Sequence, residues 1–190
     1  MPGNPSSESR YGATPEEWIG LARRFPNRLQ TVVSNPRATI SPTSSLTSLG
    51  KVPSRYDRVR KVVGIPDWPR RPLTRNRIRA AMREPDYGIC VILGRGLAAF
   101  DVDLEDEDLA NRIETIAYRQ EIRGACVRFR ENSPRRLILF RVAERLGKFS
   151  LRPDRGDTGM VEILGDGQQF VAAGTHPSGC RYQWRKIREW

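Results

Sequence analysis

Histidine and cysteine are scarce in this chain of 190 residues, which has one His and three Cys. Cys90, Cys126 and Cys180 are odd in number and widely spaced, without the paired spacing of a zinc site. We therefore expect buried thiols in a reducing compartment. No stretch approaches the roughly 20 apolar residues that a membrane-spanning helix needs, and the N-terminus does not read as a secretory signal. These absences predict a soluble, cytoplasmic protein that spans no membrane.

Acidic residues are also too few to balance the basic ones. The chain has 22 Asp and Glu against 33 Lys and Arg, a formal net charge of +11, and a pI near 10.4. An excess of positive charge of this size attracts and holds phosphate-rich ligands. A nucleic acid or nucleotide is the first partner this indicates, and an anionic membrane surface is the second.

The length suits one hydrophobic core and is short for two domains. Residues 1–13 are rich in Pro, Gly and Ser, and their composition predicts a disordered N-terminus. Residues 14–190 are then expected to form one domain. Within it, residues 34–54 have many Ser, Thr and Pro and little periodicity, which favours a long loop. Nothing in the sequence suggests more than a monomer.

Helices are predicted by end signals and apolar periodicity. Thr14 and Pro15 open one that ends near Phe25, and Thr74 opens a second that ends near Arg83. A third covers about residues 106–120, with Leu109, Ile113, Ile116 and Ala117 on one face.

Strands are predicted at residues 87–93, 97–103, 125–130, 135–142, 148–152, 160–165, 168–173 and 182–184. This order of elements predicts an α+β domain with a mainly antiparallel sheet.

Two carboxylates at the end of an apolar strand, in "AAFDVD", are the most informative feature. Side chains alternate along a strand, so Asp101 and Asp103 share one face while Phe100 and Val102 share the other. Neighbouring carboxylates over a sheet are costly unless a cation neutralises them. Mg²⁺ or Mn²⁺ is one solution. The simpler alternative is a strand end that feeds the capped helix after it.

A third acid has a similar placement. In "GMVEILG", Glu162 occupies a mid-strand position that is apolar by default. The three acids together would suit two divalent ions that stabilise the attacking and leaving oxygens of a phosphoryl transfer. Taken alone, an acid such as Glu162 would most often be an exposed-face residue or a partner for an arginine.

Basic residues cluster in "VRFRENSPRRLILFRV". Arginine clamps phosphate oxygens with two hydrogen bonds, so this strand, loop and strand are a candidate site for a nucleoside triphosphate. The alternative is a solvated basic face. The candidates are Arg128, Arg130, Ser133, Arg135 and Arg136.

The segment "AAGTHPSGCRYQW" holds the single histidine, His176, in a polar turn. Its position downstream of Glu162 makes it a candidate phosphate or sugar donor, although a loop histidine is often incidental. Tyr182 and Trp184 alternate along a strand and are candidate base-stacking residues, with core filling as the commoner use.

Together, "LAAFDVDLED", "VRFRENSPRRLILFR" and "VEILGDGQQFVAAGTHPSGCRYQW" resemble, in order and spacing, the bifunctional DNA primase/polymerase domain of the archaeo-eukaryotic primase superfamily, the type found in phage and plasmid replication proteins. The resemblance covers roughly residues 50–190. It implies an RRM-like catalytic sheet beside a second, smaller α/β unit.

The resemblance assigns roles to residues. Asp101, Asp103 and Glu162 match the metal-binding acids, with Glu162 where Asp is more familiar. The family's Ser-x-His motif falls on the segment that begins at Ser133, where an arginine, Arg135 or Arg136, replaces the histidine. The stretch from Gly165 to Gln169 and the turn at His176 match the nucleotide pocket.

The resemblance implies a metal-dependent nucleotidyltransferase that makes primers and extends them on a DNA template. Its cofactors are Mg²⁺ or Mn²⁺ ions in a two-metal site, and its substrates are nucleoside triphosphates, DNA template and primer. A helicase is an implied partner, and none is expected within this chain. Arg128, Arg130, Tyr182 and Trp184 would contact nucleic acid. Two alternatives are a non-catalytic single-stranded nucleic-acid-binding module and a metal-dependent nuclease.

Overall fold

A computed structural model describes residues 11–120, 125–152 and 159–186. The helices are α1 (Pro15–Arg24), α2 (Arg75–Ala81) and α3 (Glu107–Arg119), and one turn of 3-10 helix spans Trp68–Arg70. The strands are β1 (Leu29–Val33), β2 (Ser54–Tyr56), β3 (Val62–Gly64), β4 (Tyr87–Ile92), β5 (Leu97–Asp103), β6 (Cys126–Arg130), β7 (Ser133–Arg141), β8 (Phe149–Leu151), β9 (Met160–Leu164), β10 (Gln169–Ala173) and β11 (Gln183–Lys186).

The strands form three sheets. The large sheet has six strands in the order β11-β6-β7-β5-β9-β8, and a smaller one has the order β1-β4-β10. A two-stranded ribbon pairs β2 with β3. Every strand pair is antiparallel, which confirms the predicted α+β class with a mainly antiparallel sheet. Among the described residues, no helix is long and apolar enough to cross a membrane.

The large sheet is covered differently on its two faces. Alternate residues of β5 and β7, such as Val102 and Ile138, pack against Ala110 and Ala117 of α3. On the other face, Leu137 and its neighbours pack against the small sheet and α1, forming an inter-sheet core. This core includes Trp18, Ile89, Ala99, Leu137 and Phe170.

The helix ends follow their sequence signals. Thr14 caps α1 through a capping box, in which its hydroxyl accepts from the Glu17 amide and the Glu17 carboxylate accepts from the Thr14 amide. Asp106 caps α3 by accepting from the Leu109 amide. The predicted face of α3 is wrong at Ile116, which is 60% exposed, because the helix buries the Ala110, Glu114 and Ala117 side instead.

The chain changes sheets between β4 and β5. Although only the turn at Gly94, Arg95 and Gly96 separates them, β4 pairs with β1 and β10 while β5 pairs with β7 and β9. All three turn residues have positive φ, which for Arg95 is 50°. This turn therefore carries the chain from one side of the inter-sheet core to the other.

Composition predicted a disordered N-terminus at residues 1–13 and a long loop at residues 34–54, and the structure describes part of the first and all of the second. Residues 1–10 are outside the described part of the chain. Residues 11–13, expected to be disordered with them, instead pack on the domain: the Gly12 and Ala13 amides donate to Pro85 and Tyr87 carbonyls, and Ala13 is buried. Between Val33 and Ser54 the structure has no helix or strand, apart from an isolated bridge between Ile40 and Val62.

A buried ion-pair cluster joins α3 to the large sheet. Glu114 is fully buried, and its carboxylate accepts hydrogen bonds from Arg136 at 2.8 Å and from Arg185. Burial alone would raise the pKa of Glu114, but these arginine hydrogen bonds outweigh it and hold the pKa below its usual value. The cluster fixes the position of α3 across β7 and β11.

We expect Glu114→Ala to destabilise the fold by about 3–5 kcal/mol, because it leaves two largely buried arginines without their carboxylate. Arg71→Ala is the control. Arg71 pairs with Asp67 in a surface salt bridge, and the two side chains are 69% and 44% exposed, so its loss should cost less than about 1 kcal/mol. Urea unfolding measures both values, and an equal cost for the two variants would contradict this account.

Candidate active site

The site is built on one row of cross-strand neighbours in the large sheet. Arg128 of β6 lies opposite Leu137 of β7, which lies opposite Asp101 of β5. Asp101 in turn lies opposite Glu162 of β9, which lies opposite Ser150 of β8. Directly opposite residues point to the same face of a sheet. Two carboxylates and one guanidinium from three strands therefore share one face.

Strand β5 runs from the inter-sheet core into a cleft. Leu97 and Ala99 face the core, and the same alternation then places Asp101 and Asp103 beyond it. Val102, on the opposite face, is completely buried against α3. The strand is apolar where both faces are covered, and its carboxylates begin where one face opens.

A cleft of about 300 Å³ lies over this face of the sheet. Its walls carry Asp101, Asp103 and Glu162 together with a larger number of basic residues. The basic residues with side chains paired to these acids or lying near His176 are Lys51, Arg128, Arg130, Arg135 and Lys148. The cleft thus combines acids on its floor with a positively charged wall, which suits an anionic ligand that arrives with a cation.

Asp101 has a raised pKa. Burial raises its pKa, and the carboxylates of Asp103 and Glu162 add to the shift. The Arg128 guanidinium, 3.9 Å from the Asp101 carboxylate, lowers the pKa but does not cancel the rise. The negative charge at this position is therefore only partly compensated.

Asp103 is held by an arginine of the next strand. The Arg135 guanidinium lies 2.8 Å from the Asp103 carboxylate and also hydrogen-bonds Glu105. The side chains of Asp103 and Arg135 are 47% and 40% exposed. Their ion pair is accessible to water and can exchange partners at low cost.

Glu162 is held by a lysine that sequence reasoning did not find. Lys148 lies 2.9 Å from the Glu162 carboxylate, and the Ser150 hydroxyl donates to the same oxygen at 2.8 Å. The Lys148 hydrogen bond is the main cause that lowers the pKa of Glu162. Strand register is the signal that could have found this lysine, because Lys148 lies two residues before Ser150, the partner of Glu162.

The donor set fits a divalent cation in chemistry and in strand placement. Carboxylate oxygens are the ligands that Mg²⁺ and Mn²⁺ prefer, and an added cation would relieve the uncompensated charge at Asp101. Within residues 11–120, 125–152 and 159–186, however, no three His, Cys, Asp or Glu side chains form a ready metal cluster. Binding an ion therefore requires Arg135 and Lys148 to release Asp103 and Glu162.

On the opposite side of the acids, an arginine and the histidine form a second cluster. The Arg130 guanidinium donates to His176 Nδ1 at 2.6 Å and to the hydroxyls of Ser178 and Ser133 at 3.1 and 3.2 Å. The Ser178 amide also donates to His176 Nδ1, at 3.0 Å. With Nδ1 an acceptor, the ring is neutral and its proton is on Nε2, where it is available as a donor.

The charge around His176 agrees with that assignment. Burial lowers its pKa to about 4, and the positive charges of Arg130, Lys51 and Arg128 contribute. The positive potential that disfavours protonation of His176 also attracts a negatively charged phosphate group. His176 and its neighbours therefore form a positively charged wall that suits an anionic ligand.

The structure separates the two arginines that the sequence left as alternatives. Arg135 faces the acids, whereas the guanidinium of Arg136 turns to the α3 side of the sheet and donates to Asn111 and Glu114, each at 2.8 Å. Successive residues of a strand point to opposite faces, which is the reason. Arg136 still borders the cleft, but its side chain is only 7% exposed and is paired to Glu114, so Arg135 is the better placed of the two to meet a nucleotide.

The two aromatic candidates fill space in the protein. Trp184 packs edge-on against Phe170 beside the inter-sheet core, and its indole donates to the Ala172 carbonyl at 2.8 Å. Tyr182 borders the cleft but is 7% exposed, with the Arg128 guanidinium 4.6 Å from its ring centre. Both rings match core filling, the commoner of the two uses that the sequence left open. Base stacking stays a prediction for Tyr182, which lines the cleft.

The glycine-rich stretch positions other groups. A Cβ at Gly165 would lie 2.0 Å from the Leu146 carbonyl oxygen, so only glycine lets the loop that carries Lys148 approach β9. Gln169 lines the cleft and donates from its side chain to the Lys51 carbonyl at 2.7 Å. Gln169 thus holds Lys51, a second basic residue whose role the sequence did not indicate, against the cleft wall.

We expect nuclear magnetic resonance titration to give His176 a pKa near 4, and the assignment is unambiguous because the chain has one histidine. The unfolded chain protonates near pH 6.5, so stability should fall as pH drops from about 6.5 to about 4. His176→Gln should lose this part of the pH dependence. A folded-state pKa at or above 6.5 would contradict the cationic environment.

Comparison with known proteins agrees with the geometry. A search of curated proteins and a search of solved structures each gave no match. A scan against protein families matches residues 22–189 to the family described as bifunctional DNA primase/polymerase, N-terminal. The match spans all three sheets, all three acids and the His176 cluster. The chain therefore belongs to the bifunctional DNA primase/polymerase N-terminal domain family.

Proposed function

We propose that this domain is a metal-dependent nucleotidyltransferase that synthesises primers and extends them on a DNA template, in phage or plasmid replication. The observation that supports it most is the placement of Asp101 opposite Glu162, with Asp103 on the same face, below a wall of cations. Such a cleft suits a triphosphate that is delivered with a divalent ion. Family membership supports the same class of activity.

In this proposal the acids on the floor of the cleft bind the metal, and the donors on its wall bind the phosphates. Asp101, Asp103 and Glu162 would hold Mg²⁺ or Mn²⁺, which supplies charge neutralisation and activation of a primer 3′-hydroxyl when bound. Arg130 and the Nε2–H of His176 would donate to phosphate oxygens of the incoming nucleotide. Their fixed hydrogen bonds to each other and to Ser178 pre-orient both donors.

The two cations that now hold the acids have a second role in this proposal. When a divalent ion takes over Asp103 and Glu162, Arg135 and Lys148 are released beside the triphosphate. Both side chains are about half exposed, so they can turn toward phosphate oxygens with little reorganisation. The same basic residues would then neutralise the acids before binding and the triphosphate after it.

A non-catalytic nucleotide- or nucleic-acid-binding module is the second candidate. The ion pairs of Asp103 with Arg135 and of Glu162 with Lys148 favour it, because they satisfy two of the acids without a metal. Such a module would bind the triphosphate on Arg130 and His176 and would transfer nothing. Its nucleotide binding would not depend on Mn²⁺.

We expect Asp101→Asn to reduce primer extension by at least about 10²-fold, since it removes a metal ligand at the centre of the row. Asp108→Asn, which removes the same charge from the exposed first turn of α3, is the control and should keep full activity. Incorporation of labelled nucleotide on primed and unprimed templates measures the effect. Undiminished extension by Asp101→Asn would remove the metal assignment.

Thermal unfolding distinguishes the two candidates. At about 100 times the dissociation constant, Mn²⁺ with a nucleoside triphosphate should stabilise the protein by about 2.7 kcal/mol, a rise of about 5–10 °C in Tm. The nucleotide without Mn²⁺ should produce a much smaller rise. An equal rise with and without Mn²⁺ would favour the non-catalytic module.

A further inference from the structure

A second concave surface, rich in arginine, lies at the end of the large sheet opposite the acids. It has a volume of about 730 Å³ and lies where β4 ends and β5 begins. Along β5, Leu97 and Asp101 are four residues apart, or roughly 13 Å at the rise of a strand, and Arg95 lies in the turn before Leu97. We call this surface the basic groove: it is lined by Arg28, Arg70, Arg95 and Arg145, with Arg141 beside Arg28.

Positive charge is concentrated in the basic groove. Burial lowers the pKa of Arg28, and the neighbouring charges of Arg95 and Arg141 lower it further. Arg70, Arg95 and Arg141 are exposed. In the described part of the chain, none of these three has a salt bridge to an acidic side chain. Crowded cations without partners are the arrangement that phosphate groups neutralise.

The groove is held in a defined shape. Arg28 donates to the carbonyls of Ile92, Gly94 and Arg95, which fixes the end of β4. The Asp166 carboxylate accepts from the Arg95 amide at 3.1 Å and also pairs with Arg145. One acid therefore positions two arginines of the groove wall.

The turn at Arg95 is strained in a way that favours a functional explanation. Arg95 has a φ of 50°, in the left-handed region that non-glycine residues seldom adopt. A Cβ at Gly94 would lie 2.2 Å from an Asp166 carboxylate oxygen, so glycine there is what lets Asp166 approach. Strain of this kind persists where the surroundings impose it, and here it presents an exposed arginine at the tip of the turn.

The groove and the active-site cleft are adjacent across the β9–β10 turn. Asp166 and Gly167 line the groove, while Gln168 and Gln169 line the cleft. Glu162 and Asp166 are four residues apart, at most about 13 Å along the chain. One extended strand of nucleic acid can therefore contact both.

We infer that the basic groove binds the phosphate backbone of single-stranded DNA and guides the template strand to the active site. Besides its arginines, the groove is lined by three prolines that are at least partly exposed, Pro26, Pro69 and Pro72. Unpaired bases and sugars can lie against apolar surface of this kind, whereas a duplex presents mainly phosphate. The assignment of the strand as template rests on the proposed function, but the binding of DNA by the groove does not.

The test is the salt dependence of DNA binding, measured by fluorescence anisotropy with a labelled single-stranded oligonucleotide on the whole chain. The groove variant is Arg70→Gln with Arg95→Gln and Arg141→Gln. The control variant is Arg79→Gln with Arg112→Gln and Arg119→Gln, which removes three exposed charges from α2 and α3. Both variants lower the net charge by the same amount. A difference between them therefore reports contacts of DNA with the groove and not the overall charge of the protein.

The groove variant should reduce the slope of log affinity against log salt by about 2, at about 0.7 for each lost phosphate contact. The control should change the slope by much less. Equal slopes for the groove variant and the wild type, or an equal loss in the control, would overturn the inference. Tighter binding of a matched duplex than of the single strand would overturn the assignment to single-stranded DNA.

Nucleotide binding separates this inference from the proposed function. The groove variant should keep the Mn²⁺-dependent rise in Tm with a nucleoside triphosphate, because its three arginines lie outside the cleft. If the wild type lacks that rise while the groove variant still loses DNA affinity, the proposed function fails and the groove inference stands. Loss of the rise in the groove variant alone would show that these arginines act on the cleft, against the inference.

Discussion

The antiparallel pairing of β5 with β9 places Asp101 directly opposite Glu162, and the organisation of the site follows from this contact. Like charges on neighbouring strands repel, and partial burial strengthens the repulsion because little water screens it. Two neighbouring cations reduce this repulsion: Arg128 pairs with Asp101 on one side of the row, and Lys148 pairs with Glu162 on the other. The result is a cleft with acids on its floor and basic residues on its walls.

The two faces of the large sheet have different roles: the face under α3 contributes to stability, and the face in the cleft carries the candidate site residues. On the α3 side, Glu114 and Arg136 form a buried pair that water does not reach and that fixes the helix. On the cleft side, Asp103 and Arg135 form an exposed pair that can open when a ligand arrives. Since Arg135 and Arg136 are consecutive residues of one strand, a shift of one residue in register would exchange these roles.

Much of this could be predicted from local sequence pattern. The alternation in "AAFDVD" predicted that Asp101 and Asp103 share a face, and the caps at Thr14 and Asp106 marked helix starts correctly. The features that depend on pairing between distant strands could not be predicted in this way. The small sheet needs β1, which sequence reasoning left unassigned, and Lys148 and Glu114 acquire their partners only through the fold. Trp184 packs beside the inter-sheet core, the commoner of its two predicted uses. Alternation alone could not decide between the two uses, because it does not tell which face of a strand meets the core.

The central claim is that a divalent ion replaces Arg135 and Lys148 as the partner of Asp103 and Glu162. A crystal structure with Mn²⁺ and a non-hydrolysable nucleoside triphosphate tests it most directly, because the anomalous signal of manganese locates the ion. The account predicts manganese bound by Asp101, Asp103 and Glu162, with the Lys148 ammonium moved to the triphosphate. A nucleotide bound beside His176 without manganese, with both ion pairs intact, would contradict it.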